Sequence, residues 1–347
     1  MELGLTTFAE TISSAGSGIA ENHGERLHQV IEEAVLADSV GLEVYAIGEH
    51  HRPDFAASTP SVVLAAIAAR TERIRLSPAV TVLSSDDPVR VYQQFATLDL
   101  ISNGRAELLV GRGSFIESFP LFGYSLEDYD ELFAEKLALL LAVRDNERVT
   151  WSGQFRAPLV DQGIYPRSRQ DPLPVWVGVG GTPQSVVRAG HHGLPVALAI
   201  IGGSPDRFAV LADLHRRSLR EAGFDPSEVP LAVHAHGHIA ATSEQAAEEF
   251  YPSYAAAMTR IGRERGWGPM TRGQFEAMRA PDGSLVLGDP ETVADKILRW
   301  REILGIDRFM LHISVGTMPH DQVMRTIELL GTEVASGVAA GIGGPDS

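Results

Sequence analysis

Val44-Tyr45-Ala46-Ile47-Gly48-Glu49-His50-His51-Arg52-Pro53 reads as a short apolar strand that stops at an acid, two imidazoles and a proline. A strand that ends in titratable groups delivers them to the edge of a scaffold, where a ligand can meet them. The same pattern of short strand followed by helix recurs along the chain. Residues 3–8 precede a helical pattern in which Leu27, Val30, Ile31, Ala34 and Val35 share one face. Residues 44–48 precede 62–69, residues 74–83 precede 89–101, and residues 106–110 precede a helix lined by Phe133, Leu137, Leu140 and Leu141. Further units run 175–179 to 182–189, 196–200 to 205–222, 233–240 to 244–265, and 309–314 to 320–330, making eight.

Strand-helix alternation calls for a parallel sheet covered by helices, and eight units close a (β/α)8 TIM barrel. An open doubly wound sheet would place Gly-x-Gly-x-x-Gly after its first strand, where this chain has Thr6-Thr7-Phe8-Ala9-Glu10. The barrel is therefore the expected α/β fold, as a single domain over 1–334. It carries insertions after strands four and seven, at 146–174, where a short hairpin is expected, and at 266–289. The Gly/Ala-rich stretch 335–347 reads as a disordered tail.

Of 347 residues, 44% are hydrophobic, enough for a sizeable core. Zero cysteines exclude disulfides, thiolate metal sites and cysteine nucleophiles. Twenty-nine basic against forty-five acidic residues leave a net charge of −16, which repels nucleic acid and anionic membranes. Without a long apolar run or a secretory pattern, the chain reads as cytoplasmic. In so acidic a protein, a phosphate-bearing ligand needs local donors.

Two stretches offer them. Arg112 follows the fourth strand within Gly111-Arg112-Gly113-Ser114, where glycines allow close approach and the guanidinium matches phosphate oxygens. Pairing with one of the many carboxylates is the plainer alternative. After strand five, Gly180-Gly181-Thr182-Pro183-Gln184-Ser185 places an N-cap and an N1 proline at a helix start whose free N–H groups bind anions. A simple capped helix would carry the same pattern. Glu49, His50 and His51 fall on the C-terminal rim, where catalytic residues of this fold gather, although a His there can equally satisfy the backbone or face solvent. His234, His236 and His238 alternate along one strand and would share a face, which leaves open a metal-dependent hydrolase completed by Glu49, His50 or His312. No metal site is assigned. Asp86-Asp87-Pro88 reads as the acidic start of the third helix.

With these residues in place, residues 1–333 resemble the bacterial luciferase-like, flavin-dependent monooxygenase superfamily. The likeness rests on an ordered series: Gly48-Glu49-His50-His51, Asp87-Pro88-Val89-Arg90, Asn103-Gly104-Arg105, Gly111-Arg112-Gly113, Val177 through Thr182, and Gly193-Leu194-Pro195. The resemblance implies that His50 assists flavin oxygen chemistry, with Glu49 and His51 as its neighbours. It implies that Arg112, Thr182 and Ser185 meet a flavin phosphate, with Gly113, Ser114, Gly180 and Gly181 around them. Ala79 and Val80 match a non-prolyl cis peptide beneath the flavin ring. The implied cofactor is FMN, with the deazaflavin F420 as the alternative. The implied reaction is monooxygenation of a small organic substrate by O2 through a flavin C4a-peroxide; with F420 it becomes hydride transfer. A separate flavin reductase and a homodimer or homotetramer are implied partners. A flavin-binding protein without turnover is a further alternative. Ile200-Ile201-Gly202-Gly203 stands where luciferase has aromatic residues, so light emission does not follow.

Overall fold

A computed structural model describes residues 1–11, 22–113 and 115–343. The first half alternates β1 (Glu2–Thr7), α1 (His23–Ser39), β2 (Val44–Ile47), α2 (Pro60–Ala68), β3 (Arg75–Pro78), β4 (Thr81–Val82), α3 (Pro88–Ile101) and β5 (Leu108–Gly111). After β5 come α4 (Ser118–Phe122), α5 (Tyr129–Asp145) and an antiparallel pair, β6 (Arg148–Trp151) and β7 (Leu159–Gly163). The second half runs β8 (Val175–Val179), α6 (Pro183–His191), β9 (Val196–Ala199), α7 (Asp206–Glu221), β10 (Leu231–Ile239) and α8 (Ser243–Glu264). It continues through α9 (Arg272–Arg279), β11 (Val286–Gly288), α10 (Pro290–Leu304), β12 (Arg308–His312), α11 (His320–Leu329) and α12 (Ala335–Ile342).

All barrel strands pair in parallel, in the order β3-β2-β1-β12-β10-β9-β8-β5-β4. The two ends of that order are consecutive in the chain, because β3 and β4 flank a cis peptide between Ala79 and Val80. They are two halves of one barrel strand, and the sheet closes through them as a TIM barrel. The edge is sealed again where Leu76 bridges Ala106.

Alternation along each strand builds two cores. Leu3, Leu5, Tyr45, Ile47, Val233, Ala235, Phe309 and Leu311 face outward into the layer beneath the helices. Val44, Ala46, Ala79, Leu109, Trp176, Ala197, Ala232 and Met310 form the inner cluster. Small residues from several strands make room there for Trp176 and Met310. Gly4 has the same role, since a Cβ on it would lie 2.6 Å from the Met310 sulfur. At the N-terminal end of the barrel, buried Arg308 lies 4.4 Å from the Trp176 ring and donates to both oxygens of Glu107 at 2.6 and 2.9 Å. Glu2 accepts a third bond at 2.6 Å. These charges satisfy one another, so Arg308 and Arg75, which line the cavity of about 640 Å3 at this mouth, are already paired within the protein.

One expectation is corrected. Residues 335–342 form α12 rather than a disordered tail. Its composition has a packing reason: Gly337 and Gly341, one turn apart, bring the helix close to Ala294 and Leu298 on α10, and Val338 is buried between them. The stretch 266–289 is likewise more than a loop, since it contains α9 and β11, which extends the sheet beside β10. Asp87 does serve a helix start, accepting from the amides of Val89 and Arg90 at 2.9 and 3.2 Å. Among the described residues, no helix is long and apolar enough to cross a membrane.

Candidate active site

The site is built around Val82, the last residue of β4. Its N–H donates to Glu49 Oε2 at 2.9 Å, and its partner in β5 is Gly111. Glu49 Oε1 lies 2.9 Å from His51 Nε2. Both oxygens of Glu49 are thus committed within the protein, to the backbone after the cis peptide and to the neighbouring imidazole. Donating to the Glu49 carboxylate raises the His51 pKa despite burial.

Val80, inside the cis peptide, sits where two strands present glycines. A Cβ on Gly111 or Gly178 would lie 2.8 or 2.7 Å from its methyl groups. Gly113 has φ +79 and a Cβ there would stand 3.0 Å from Val82, so both conformation and space require glycine. The resemblance placed a cis bond at Ala79–Val80, and the structure has one there. Ser114 lies outside the described residues.

His50 is 7% exposed and enclosed by rings: Phe8 at 4.8 Å, Phe55 at 4.3 Å and Phe115 at 4.9 Å between centroids. Its Nδ1 lies 3.3 Å from Glu117 Oε1. Burial disfavours the charged form of Glu117, but bonds from His50 and the backbone of His51 outweigh it and hold its carboxyl below the ordinary value. Glu117 precedes α4, whose Phe122 lies 5.0 Å from the His51 ring. Sequence reasoning missed Glu117. It sits in no local motif, and its position depends on how the segment after β5 folds back over the rim.

Arg112 and Thr182, read separately from two strands, meet. Arg112 Nη2 donates to Thr182 Oγ1 at 2.9 Å, and Nη1 pairs with Asp130. The guanidinium lies 5.0 Å from the ring centroid of Tyr129, whose hydroxyl donates to the Gly113 carbonyl at 2.6 Å. Thr182 is the N-cap of α6, yet its side chain caps no amide because it turns to Arg112. Pro183 contributes no N–H at the first position and the Ser185 amide donates to the Thr182 carbonyl at 3.2 Å, which leaves the Gln184 amide available to an anion. Gly180 and Gly181 are exposed with open space where a Cβ would be, and Gly181 has φ +120. Ser185 is buried in the first turn of α6. A guanidinium, a hydroxyl, one free helix amide and a glycine approach fit a phosphate. The acid on Arg112 is 63% exposed and can be displaced.

The three histidines of β10 do not converge on a metal. His234 Nδ1 lies 3.2 Å from the Thr6 hydroxyl, inside the barrel, and burial lowers its pKa to about 3. His238 is engaged by Glu249 and Thr326, each at 2.8 Å, on the side of α8 and α11. His236 lies 5.1 Å from the His312 ring. Among the described residues no group of three His, Asp or Glu side chains is placed to hold a metal ion.

A second polar cluster, absent from the sequence reading, lies beside Phe8. His312 Nε2 is 3.0 Å from Glu10 Oε1 and 2.9 Å from the Ser314 carbonyl. Behind it Thr7, Arg26, Glu33 and Tyr45 form a buried network, with Arg26 Nη1 2.5 Å from Glu33 and the Tyr45 hydroxyl donating to Glu33 at 3.0 Å. No local spacing signals it, because the partners come from opposite ends of the chain.

Comparison with known proteins bears on the fold and the family. An F420-dependent glucose-6-phosphate dehydrogenase of Amycolatopsis mediterranei is 33% identical over 175 residues, 47% of this chain and 50% of that protein. The structure of monooxygenase RslO1 from Streptomyces bottropensis superposes with a TM-score of 0.83 at 24% identity, over 97% of this chain and 99% of the other. The oxygenating constituent of 3,6-diketocamphane monooxygenase from Pseudomonas putida, solved with FMN, gives 0.75 at 20% identity over 97% and 98%. At these identities the structural likeness speaks for the fold. A family model described as luciferase-like monooxygenase matches residues 1–308. With the barrel, the cis peptide and the matched length in agreement, this chain belongs to the luciferase-like monooxygenase family.

Proposed function

We propose that the protein is an FMN-dependent monooxygenase acting on a small organic substrate. The observation that carries the reading is the bond between Arg112 and Thr182 at the uncapped start of α6, a built phosphate cradle on the rim that also bears His50. When bound and reduced, FMN supplies the electrons that activate O2 for transfer of one oxygen atom. The chain's own residues bind, orient and move protons. Arg112, Thr182 and the Gln184 amide hold the phosphate. Val80, its side chain seated between Gly111 and Gly178, would lie beneath the flavin ring, as the resemblance implies. Glu49 holds the following segment through the Val82 amide. His50, with Nδ1 engaged by Glu117, keeps Nε2 for proton exchange at the reacting centre, and the surrounding phenylalanines exclude water. A separate reductase would deliver reduced flavin, since the sequence carries no nicotinamide fingerprint.

F420 is the second reading, favoured by the relative from Amycolatopsis. Its phosphate would use the same donors, and the reaction would become hydride transfer. Titration with FMN and with F420, followed by flavin absorbance, separates the two. FMN binding with O2 consumption on addition of reduced FMN supports the leading reading. Binding of F420 alone replaces it, and binding of neither rejects both.

A further inference from the structure

The Glu10–His312 pair has the organisation of a base, and the Arg112–His50 site does not use it. Nε2 of His312 faces two acceptors, the Glu10 carboxylate and the Ser314 carbonyl, so Nε2 carries the proton. Nδ1 is then the lone-pair nitrogen, and it has no hydrogen-bond partner among the described residues. Glu10 is held in turn: Ser314 Oγ donates to its other oxygen at 2.8 Å. Ser314 Oγ lies 2.9 Å from the Thr7 hydroxyl, which accepts from Arg26 Nη2 at 3.3 Å. Donors therefore line up from the Arg26–Glu33 ion pair through two hydroxyls to Glu10. Glu10 and His312 are each about 4% exposed. An imidazole oriented by a buried carboxylate, with its second nitrogen open, is arranged to take a proton and to hold the resulting imidazolium.

Beside it stands His236, paired in register with His312 on the adjacent strand. His236 is 7% exposed, and its Nδ1 is buried without a hydrogen-bond partner. A buried polar atom of this kind calls for a partner the protein itself does not provide. The surroundings are aromatic: Phe8 lies 4.4 Å from His312 and 4.8 Å from His50, and Tyr254 lies 5.9 Å from His236. Phe8 thus separates the two histidine poles, His50 just beyond β2 and His312 on β12.

We propose that Glu10 and His312 deprotonate a phenolic substrate, with His236 Nδ1 as the second polar contact of the same oxygen and the aromatic rings as walls for the substrate ring. In the step the substrate O–H bond breaks, its electron pair stays on oxygen, and an N–H bond forms at His312 Nδ1. The imidazolium so formed is paired with Glu10. The inference rests on the proposed function, for it names the substrate class of the same rim, and its test keeps the two apart.

The probe is 4-nitrophenol, whose ionised form is yellow. It is titrated with the full-length protein at a pH where the free probe is mostly neutral. Wild type is expected to lower the apparent pKa of the bound probe by about one unit or more, a tenfold gain in the phenolate fraction. The isosteric Glu10→Gln and, separately, His312→Asn are expected to abolish that gain. An FMN titration of each variant, expected to match wild type, shows that the rim is intact and isolates the effect. If Glu10→Gln does not fold, His312→Asn and the wild-type measurement still decide. Absence of the phenolate band in wild type, or its persistence in the folded variants, overturns the inference. A phenolate band in a protein that takes up neither FMN nor F420 would leave this pair standing and reject the functional reading instead.

Discussion

At the scale of single residues, the proposed function divides binding from chemistry between Arg112 and His50. A charge-assisted hydrogen bond is worth about 1.5–3 kcal/mol, so Arg112→Ala should weaken FMN about 10- to 150-fold in an equilibrium titration, with smaller loss of turnover at saturating flavin. His50→Ala should do the reverse, lowering turnover by about 10^2- to 10^4-fold while FMN affinity stays within a few-fold of wild type. Both residues were legible in the sequence, because glycines and strand ends flag close approach and rim position without any tertiary knowledge. Glu49 was legible as a rim acid, but its commitment to the Val82 amide and His51 was not. Glu117, Glu10 and the pairing of His312 with Glu10 were beyond reach for a different reason. Their partners are distant in sequence, and only the closed barrel brings β1 beside β12.

At the scale of elements, buried charge and close backbone approach set the sensitive points. Glu33 on α1 is fully buried; burial opposes its charge, but Arg26 outweighs that and holds the carboxyl below its ordinary value of 4.5. A carboxyl lowered on folding stabilises the protein fully above its unfolded pKa and loses that contribution as pH falls through the folded value. Glu33→Gln, which leaves Arg26 without a charged partner, should cost about 3–5 kcal/mol at neutral pH by denaturant unfolding. It should also flatten the loss of stability below about pH 4.5. Gly237 is the second point, since a Cβ there would lie 1.9 Å from the Val286 carbonyl oxygen. Gly237→Ala should destabilise by about 1–3 kcal/mol by forcing β10 and β11 apart, a change visible as a lower thermal midpoint. The eight strand-helix units were legible from hydrophobic period, and their bounds fall within a few residues of the reading. The helix α9 was missed although Thr271 and Gln274 form a capping box, a signal present in the sequence but masked by flanking glycine, proline and arginine. The helix α12 was missed because glycine lowers helix propensity, and here close packing on α10 overrides it.

At the scale of the whole molecule, the barrel separates stability from chemistry. Its N-terminal end is closed by the Arg308–Glu107–Glu2 cluster over Trp176, and its C-terminal rim gathers Arg112, Thr182, His50 and the Glu10–His312 pair. A net charge of −16 works against any anionic ligand, so recognition of a phosphate must come from the local cradle rather than from the overall field. That makes the phosphate itself the discriminating group. The direct measurement is a comparison of FMN with riboflavin, which has the same ring system without phosphate, in titrations of wild type and Arg112→Ala. Wild type is expected to bind FMN at least about tenfold more tightly than riboflavin, and Arg112→Ala to erase most of the difference. Equal affinity for the two flavins in wild type, or no uptake of FMN at all, would contradict this expectation.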